Sequence, residues 1–126
     1  MIKRYPLLTL FILLYSANLW SQPLSGTYSI GLSSSHNYAS FTAAVSDLVS
    51  KGVSGPVIFN VHEKSGAYNE TFSIPQITGA SSSNTITFQA NGNDNVVING
   101  NPNASNNYVV RLEGAEFIHF KNLHFK

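Results

Sequence analysis

The chain has 126 residues, a formal net charge of +1, 43% hydrophobic and 12% aromatic residues, and only 10% charged residues. It contains no cysteine, which excludes a disulfide framework, thiolate metal sites and a cysteine nucleophile. With residues 1–21 set aside as a leader, five cations (Lys51, Lys64, Arg111, Lys121, Lys126) stand against six carboxylates (Asp47, Glu63, Glu70, Asp94, Glu113, Glu116), a net charge of −1. No basic stripe remains on which nucleic-acid binding can rest.

The first segment has the layout of a secretory signal peptide. Lys3 and Arg4 form a short positive region, an apolar run follows from Tyr5 to Tyr15, and Ser16-Ala17-Asn18 leads into Leu19-Trp20-Ser21-Gln22. Cleavage is expected after the small Ser21, although Leu19 fits the minus-three position less well. An uncleaved anchor needs about 20 predominantly apolar residues. This run is shorter and is interrupted by Thr9, Ser16 and Asn18, so export with removal of residues 1–21 is the reading.

Residues 22–38 form a Ser-, Gly- and Asn-rich lead-in with one β-prone stretch, Thr27-Tyr28-Ser29-Ile30. A helix follows. Phe41, Ala44, Val45, Leu48 and Val49 recur at i, i+3, i+4, i+7 and i+8, the spacing of one helical face. Ser40 or Asn37 can supply the N-cap oxygen, and Gly52 sits where the helix must stop. Ser46, Asp47, Ser50 and Lys51 form the polar side, so the helix is amphipathic and about three turns long.

After Gly55 the chain reads as short strands: Val57 to Val61, Thr71 to Ile74, Thr85 to Gln89, Val96 to Asn99, Tyr108 to Leu112 and Phe117 to Phe125. Each is β-branched or aromatic and bounded by Gly, Asn, Pro or Ser clusters. No second helix separates them, which argues against an alternating βαβ sheet. Two all-β architectures remain: an antiparallel sandwich or barrel, and a coiled parallel solenoid.

The last segment helps to choose. Ile118 and Phe120 alternate in one phase, Leu123 and Phe125 in the other, and the phase slips at Lys121-Asn122. Asn tolerates left-handed backbone angles better than most residues. One such residue bends the chain so that both strands send side chains into one interior, as at the corner of a parallel coil. A bulged antiparallel strand also shifts phase. With Leu123 and Phe125 apolar and no turn or polar tail after them, the segment is expected to need a further neighbouring strand.

The order of these elements resembles the N-terminal part of right-handed parallel β-helix proteins of the pectate-lyase-like superfamily. The helix Phe41-Thr42-Ala43-Ala44-Val45-Ser46-Asp47-Leu48 matches the family's N-terminal cap. The strand Val57 to Val61 and the Gly66-Ala67-Tyr68-Asn69-Glu70 segment follow in the family's order. So do Gly79 through Phe88, Val96-Val97-Ile98-Asn99-Gly100, and the Ile-x-Phe-x-Asn-Leu-x-Phe pair at Ile118 to Phe125. The wording of Gly52 to Val57 and Gly79 to Phe88 looks like that of large surface or secreted proteins of Gram-negative bacteria, which often end in a type IX secretion sorting domain. The resemblance implies a right-handed parallel β-helix with an N-terminal amphipathic capping helix, residues 39–126 being the cap and first coils and the remainder lying beyond Lys126.

The chemistry-bearing residues are few. His119 and His124 alternate outward around Asn122, His62 ends a strand and His36 lies in a loop; no His-Glu-x-x-His spacing is present, and all four read as solvated. Glu63 and Glu70 flank Gly66, Glu113 and Glu116 flank Gly114, and Arg111 has no acidic set around it. Calcium needs six or more oxygen ligands and a glycosidase two placed carboxyl groups; neither can be assembled. No residue is therefore assigned to catalysis, to a cofactor or to a metal. The Asn-rich turns (Asn91, Asn93, Asn95, Asn99, Asn101, Asn103, Asn106 and Asn107) suit left-handed positions. Asn69-Glu70-Thr71 and Asn103-Ala104-Ser105 fit the glycosylation pattern, which would carry little weight in a bacterial protein of the kind the resemblance implies.

The expected function is non-catalytic: a segment of a secreted or cell-surface protein that is adhesive or contacts polysaccharide or cell-surface glycan. One alternative is a polysaccharide lyase or glycoside hydrolase whose active site lies beyond residue 126. Another is a carbohydrate-binding module, for which outward aromatics would be the sign; Tyr68 and Tyr108 are the candidates, and both fit core or turn positions equally well.

Overall fold

The computed structural model describes residues 21–126, so the expected leader lies outside the described residues except for Ser21. The elements run β1 (Leu24–Ile30), α1 (Phe41–Lys51), β2 (Val53–Val61), β3 (Tyr68–Asn69), β4 (Phe72–Pro75), β5 (Ile86–Ala90), β6 (Val96–Asn99), β7 (Val110–Glu113), β8 (Ile118–Lys121) and β9 (Leu123–Phe125). Every pairing between these strands is parallel. They form three open sheets, ordered β1-β2-β5-β8, β3-β6-β9 and β4-β7. The fold is all-β with one helix. The chain visits the sheets in turn: β2, β3, β4, then β5, β6, β7, then β8 and β9.

Parallel register stacks like on like. Tyr28, Phe59, Phe88 and Phe120 are successive partners across the first sheet, with ring centroids 5.8, 4.7 and 5.7 Å apart. Val57, Ile86 and Ile118 make the next row. In the second sheet Tyr68 meets Ile98, which meets Phe125; in the third, Phe72 meets Val110 and Ile74 meets Leu112. The strand alternation explains the rows: β2 is buried at every second residue from Val53 to Val61, because a pleated strand sends alternate side chains to one face. Phe59, Phe88, Ile74, Ile86 and Ile98 are fully enclosed.

Helix α1 turns Phe41, Ala44, Val45 and Leu48 inward. The Phe41 ring lies 5.3 Å from both Tyr68 and Phe72 and 5.9 Å from Phe88, so it touches all three sheets. Ser40 is the N-cap and accepts the Ala43 N–H at 3.1 Å. Gly52 ends the helix at φ +67° and returns its N–H to the Leu48 carbonyl at 2.8 Å. A Cβ there would meet the Thr78 carbonyl oxygen at 2.7 Å, so both backbone angle and space demand glycine. Val49, expected on the buried face, is 52% exposed; the contact stripe is narrower than the apolar pattern and Val49 falls past its edge.

Several elements differ from expectation, β4, β5 and β7 by a residue or two and three others in kind. The lead-in contributes β1, which pairs with β2 across the intervening helix. Strand β2 starts at Val53, through Gly55 and Pro56, rather than at Val57. Proline is tolerated because Pro56 falls in the irregular stretch between the Leu24–Val53 and Gly26–Val57 pairs, where no ladder partner claims its backbone, and β5 pairs only from Val57 onward. The two-residue β3 shows no periodicity and was invisible to pattern. The slip at Asn122 is a true corner: Asn122 takes φ +54° and divides β8 in the first sheet from β9 in the second. Phe117 takes φ +60° at the other end of β8, an angle no pattern announces for an aromatic residue.

Candidate functional site

The carboxylates flanking Gly66 organise backbone. Glu70 reaches back across the chain to the first turn of α1, where its Oε2 accepts the Phe41 N–H at 3.0 Å. Its Oε1 accepts the Thr42 N–H at 2.9 Å and the Thr42 hydroxyl at 2.7 Å. Helix N-termini leave their first N–H groups unpaired and carry partial positive charge. Since α1 has no acidic residue in its own first turn, Glu70 supplies the missing acceptor. Glu63 and Asp94 form a reciprocal clamp: the Glu63 N–H donates to Asp94 Oδ2 at 3.0 Å, and the Asn95 N–H donates to Glu63 Oε2 at 3.3 Å.

The remaining sequence-singled residues are dispersed. Arg111 pairs with Glu113 and lies over the Tyr108 ring, 4.7 Å from its centroid; Glu116 is exposed. His36 and His62 are brought together with ring centroids 4.3 Å apart, while His119 and His124 are exposed on different sheets. Among the described residues no group of three or more His, Cys, Asp or Glu side chains could hold a metal ion. Tyr68, a candidate outward aromatic, is instead core: it is 2% exposed and its hydroxyl donates to the His62 carbonyl at 2.6 Å. Tyr108 is half-buried.

Two concavities have chemical character. A polar hollow of about 430 Å³ is lined by Gly92, Asn93, Asp94, Asn95, Asn122, Leu123 and His124. It forms because β6 and β9 run in register, Val97 opposite His124, which sets the Asn122 corner beside the turn before β6. Amides, an imidazole and one carboxylate can hydrogen-bond a neutral hydroxyl-rich ligand. The carboxylate already accepts the Glu63 N–H, and among the described residues no second carboxylate lines the hollow for acid–base work. Sequence reading placed Asn93 and Asn95 in turns but could not bring Asn122 and His124 to them. The second hollow, about 350 Å³, is apolar and lined by Val109, Val110, Leu112, Phe120 and Phe125. It lies along β7, β8 and β9, where each sheet has an unpaired edge.

Two phenols have displaced titration. Burial, followed by the hydrogen bond to Asp47 and that group's charge, pushes the Tyr38 phenol above its usual range. Its hydroxyl donates to Asp47 Oδ2 at 2.5 Å, and Lys51 pairs with the same oxygen at 3.0 Å. Tyr68 is raised by burial and then by the charges of Glu70 and Asp94. A raised folded-state pKa means that the neutral phenol stabilises the fold below the ordinary value of 10.0 and that this stability is lost as pH rises beyond it. Unfolding followed across that alkaline range should show stability falling with pH. The Tyr38→Phe and Tyr68→Phe variants should each flatten the slope; an unchanged slope in both would refute the assignment.

Among the described residues no helix is long and apolar enough to cross a membrane. No known protein family, curated protein or solved structure matches the chain.

Proposed function

We propose that the chain is the N-terminal part of an exported right-handed parallel β-helix protein of the cell surface, non-catalytic, whose coils present polar edges to polysaccharide or cell-surface glycan. The observation that carries this reading is the repeated passage through three parallel sheets with like residues stacked in register. Such an array behaves as a solenoid, in which each turn buries its apolar rows only against its neighbours and an end turn needs a cap. Helix α1 suits the cap role, since Phe41 and Leu48 are fully enclosed. The unpaired edges of β7, β8 and β9 suit a further turn. In three successive turns the first sheet repeats a β-branched residue, any residue and Phe (Val57-Ile58-Phe59, Ile86-Thr87-Phe88, Ile118-His119-Phe120). A fourth strand of that pattern would cover Phe120. The leader at residues 1–21 supports export, and the polar hollow at Asp94 and His124 supports contact with hydroxyl-rich ligands.

The test is a panel of soluble and insoluble polysaccharides incubated with the full-length exported protein, read both for retention and for release of oligosaccharides. Retention of the protein without cleavage is the expected result. Cleavage products would replace this reading with that of a lyase or hydrolase, and neither retention nor cleavage across the panel would remove glycan as the partner.

A further inference from the structure

Two Asn-Gly dipeptides occur in the described residues, Asn91-Gly92 and Asn99-Gly100, and the structure treats them in opposite ways. Asn-Gly is the dipeptide in which a backbone nitrogen most readily reaches the preceding side-chain amide, because glycine has no Cβ to obstruct the approach. At Asn99 both reacting groups are held. The Asn99 Nδ2 donates to Asn69 Oδ1 at 3.4 Å, and the Gly100 N–H donates to the Lys126 carbonyl at 3.0 Å. Gly100 is also hemmed in, since a Cβ there would meet Val109 at 2.7 Å. At Asn91 the main chain is anchored, its N–H to the Val61 carbonyl at 2.8 Å and its carbonyl to the Asp94 N–H at 2.9 Å. Yet among the described residues no backbone hydrogen bond engages the Gly92 N–H, and the side-chain bonds of this turn belong to Asp94 and Asn95 rather than to Asn91. Gly92 is exposed, at φ +55°, with nothing within 4 Å of a Cβ position.

We infer that Asn91 is a site of spontaneous deamidation and isoaspartate formation, and that Asn99 is protected from it. The Gly92 nitrogen, giving its proton to solvent base, attacks Asn91 Cγ and forms a new C–N bond. The Cγ–Nδ2 bond breaks and the side-chain nitrogen leaves as ammonia, closing a five-membered succinimide. Water then adds to one of the two ring carbonyls and opens the ring to aspartate or to isoaspartate; nothing is oxidised or reduced. Isoaspartate inserts the side-chain methylene into the main chain, between the Val61 anchor and the Asp94 turn. That breaks the Asn91–Asp94 hydrogen bond, and with it the placement of the Asp94 carboxylate on the Glu63 N–H. The polar hollow therefore carries a chemical clock in its own rim.

The test ages the full chain at mildly alkaline pH, labels isoaspartate with a protein isoaspartyl methyltransferase, and locates the label by fragment-ion mapping. The two hydrogen bonds that Asn99 and Gly100 must surrender slow that site, so label at residue 91 should exceed label at 99 by about tenfold. The Asn91→Gln variant should lose the label at 91, and amide exchange at Glu63 and Asp94 should speed up in the aged wild-type protein. Equal or greater label at residue 99, no label at either site, or label persisting near residue 91 in Asn91→Gln would overturn the inference.

Discussion

Replacing Phe88 by alanine should cost about 3–5 kcal/mol, the range for removing a fully enclosed aromatic side chain from a core. Phe88 is fully buried and stands at the crossing of two sets of contacts. Along the first sheet it stacks on Phe59 at 4.7 Å and Phe120 at 5.7 Å, and across the interior it meets Phe41 of the helix at 5.9 Å. Aromatic pairs of this kind add about 0.5–1.5 kcal/mol beyond area burial, and the cavity left behind would be walled by rigid in-register strands with little room to collapse. Domains are stable by only about 5–15 kcal/mol, so one substitution can consume most of the margin. Phe120→Ala is the internal control. In the 126-residue chain its ring belongs to the same row but is half-buried at the edge of the first sheet, and there it should cost less than half as much. Denaturant unfolding of the two variants side by side checks this; equal losses would mean that the aromatic row is not the core of the array.

Glu70→Ala should cost about 2–3 kcal/mol, an unusual amount for a half-exposed carboxylate. Hydrogen bonds to a charged acceptor contribute about 1.5–3 kcal/mol, and the helix N-terminus adds about 0.3–1 kcal/mol for a well-placed negative charge. The first three helical N–H groups of α1 are all taken: Glu70 accepts those of Phe41 and Thr42, and Ser40 that of Ala43. Removing the carboxylate leaves two donors without partners and detaches the helix from the segment that follows β3. Glu70→Gln keeps one acceptor oxygen and loses the charge, and should fall about midway. Ser40→Ala, which removes only one local acceptor, should cost about 1 kcal/mol. Amide exchange provides the second readout, since Phe41 and Thr42 should lose protection in Glu70→Ala while β5 keeps its own. A loss spread evenly over the fold would refute the capping role.

Local chemistry was enough to find the helix, to narrow its cap to Ser40 or Asn37 and to place its Gly52 stop, because periodicity and capping act within one or two turns. It was also enough to place most strands and the corner at Asn122, where an alternation of period two changes phase and leaves its mark in adjacent residues. What no local pattern carries is which strand lies beside which. The partners that define the array are separated by 29 residues in Phe41–Glu70 and Asn60–Gln89, and by 32 in Glu63–Asn95. Tertiary structure therefore decided that β1 joins the first sheet, that Tyr68 is core rather than surface and that Val49 is left outside the contact stripe. It also turned Glu70 from a loop carboxylate into a helix cap and brought His124 to Asp94. Each of these depends on parallel register between distant segments, which is set by stacking side-chain rows whose members come from strands far apart in the sequence.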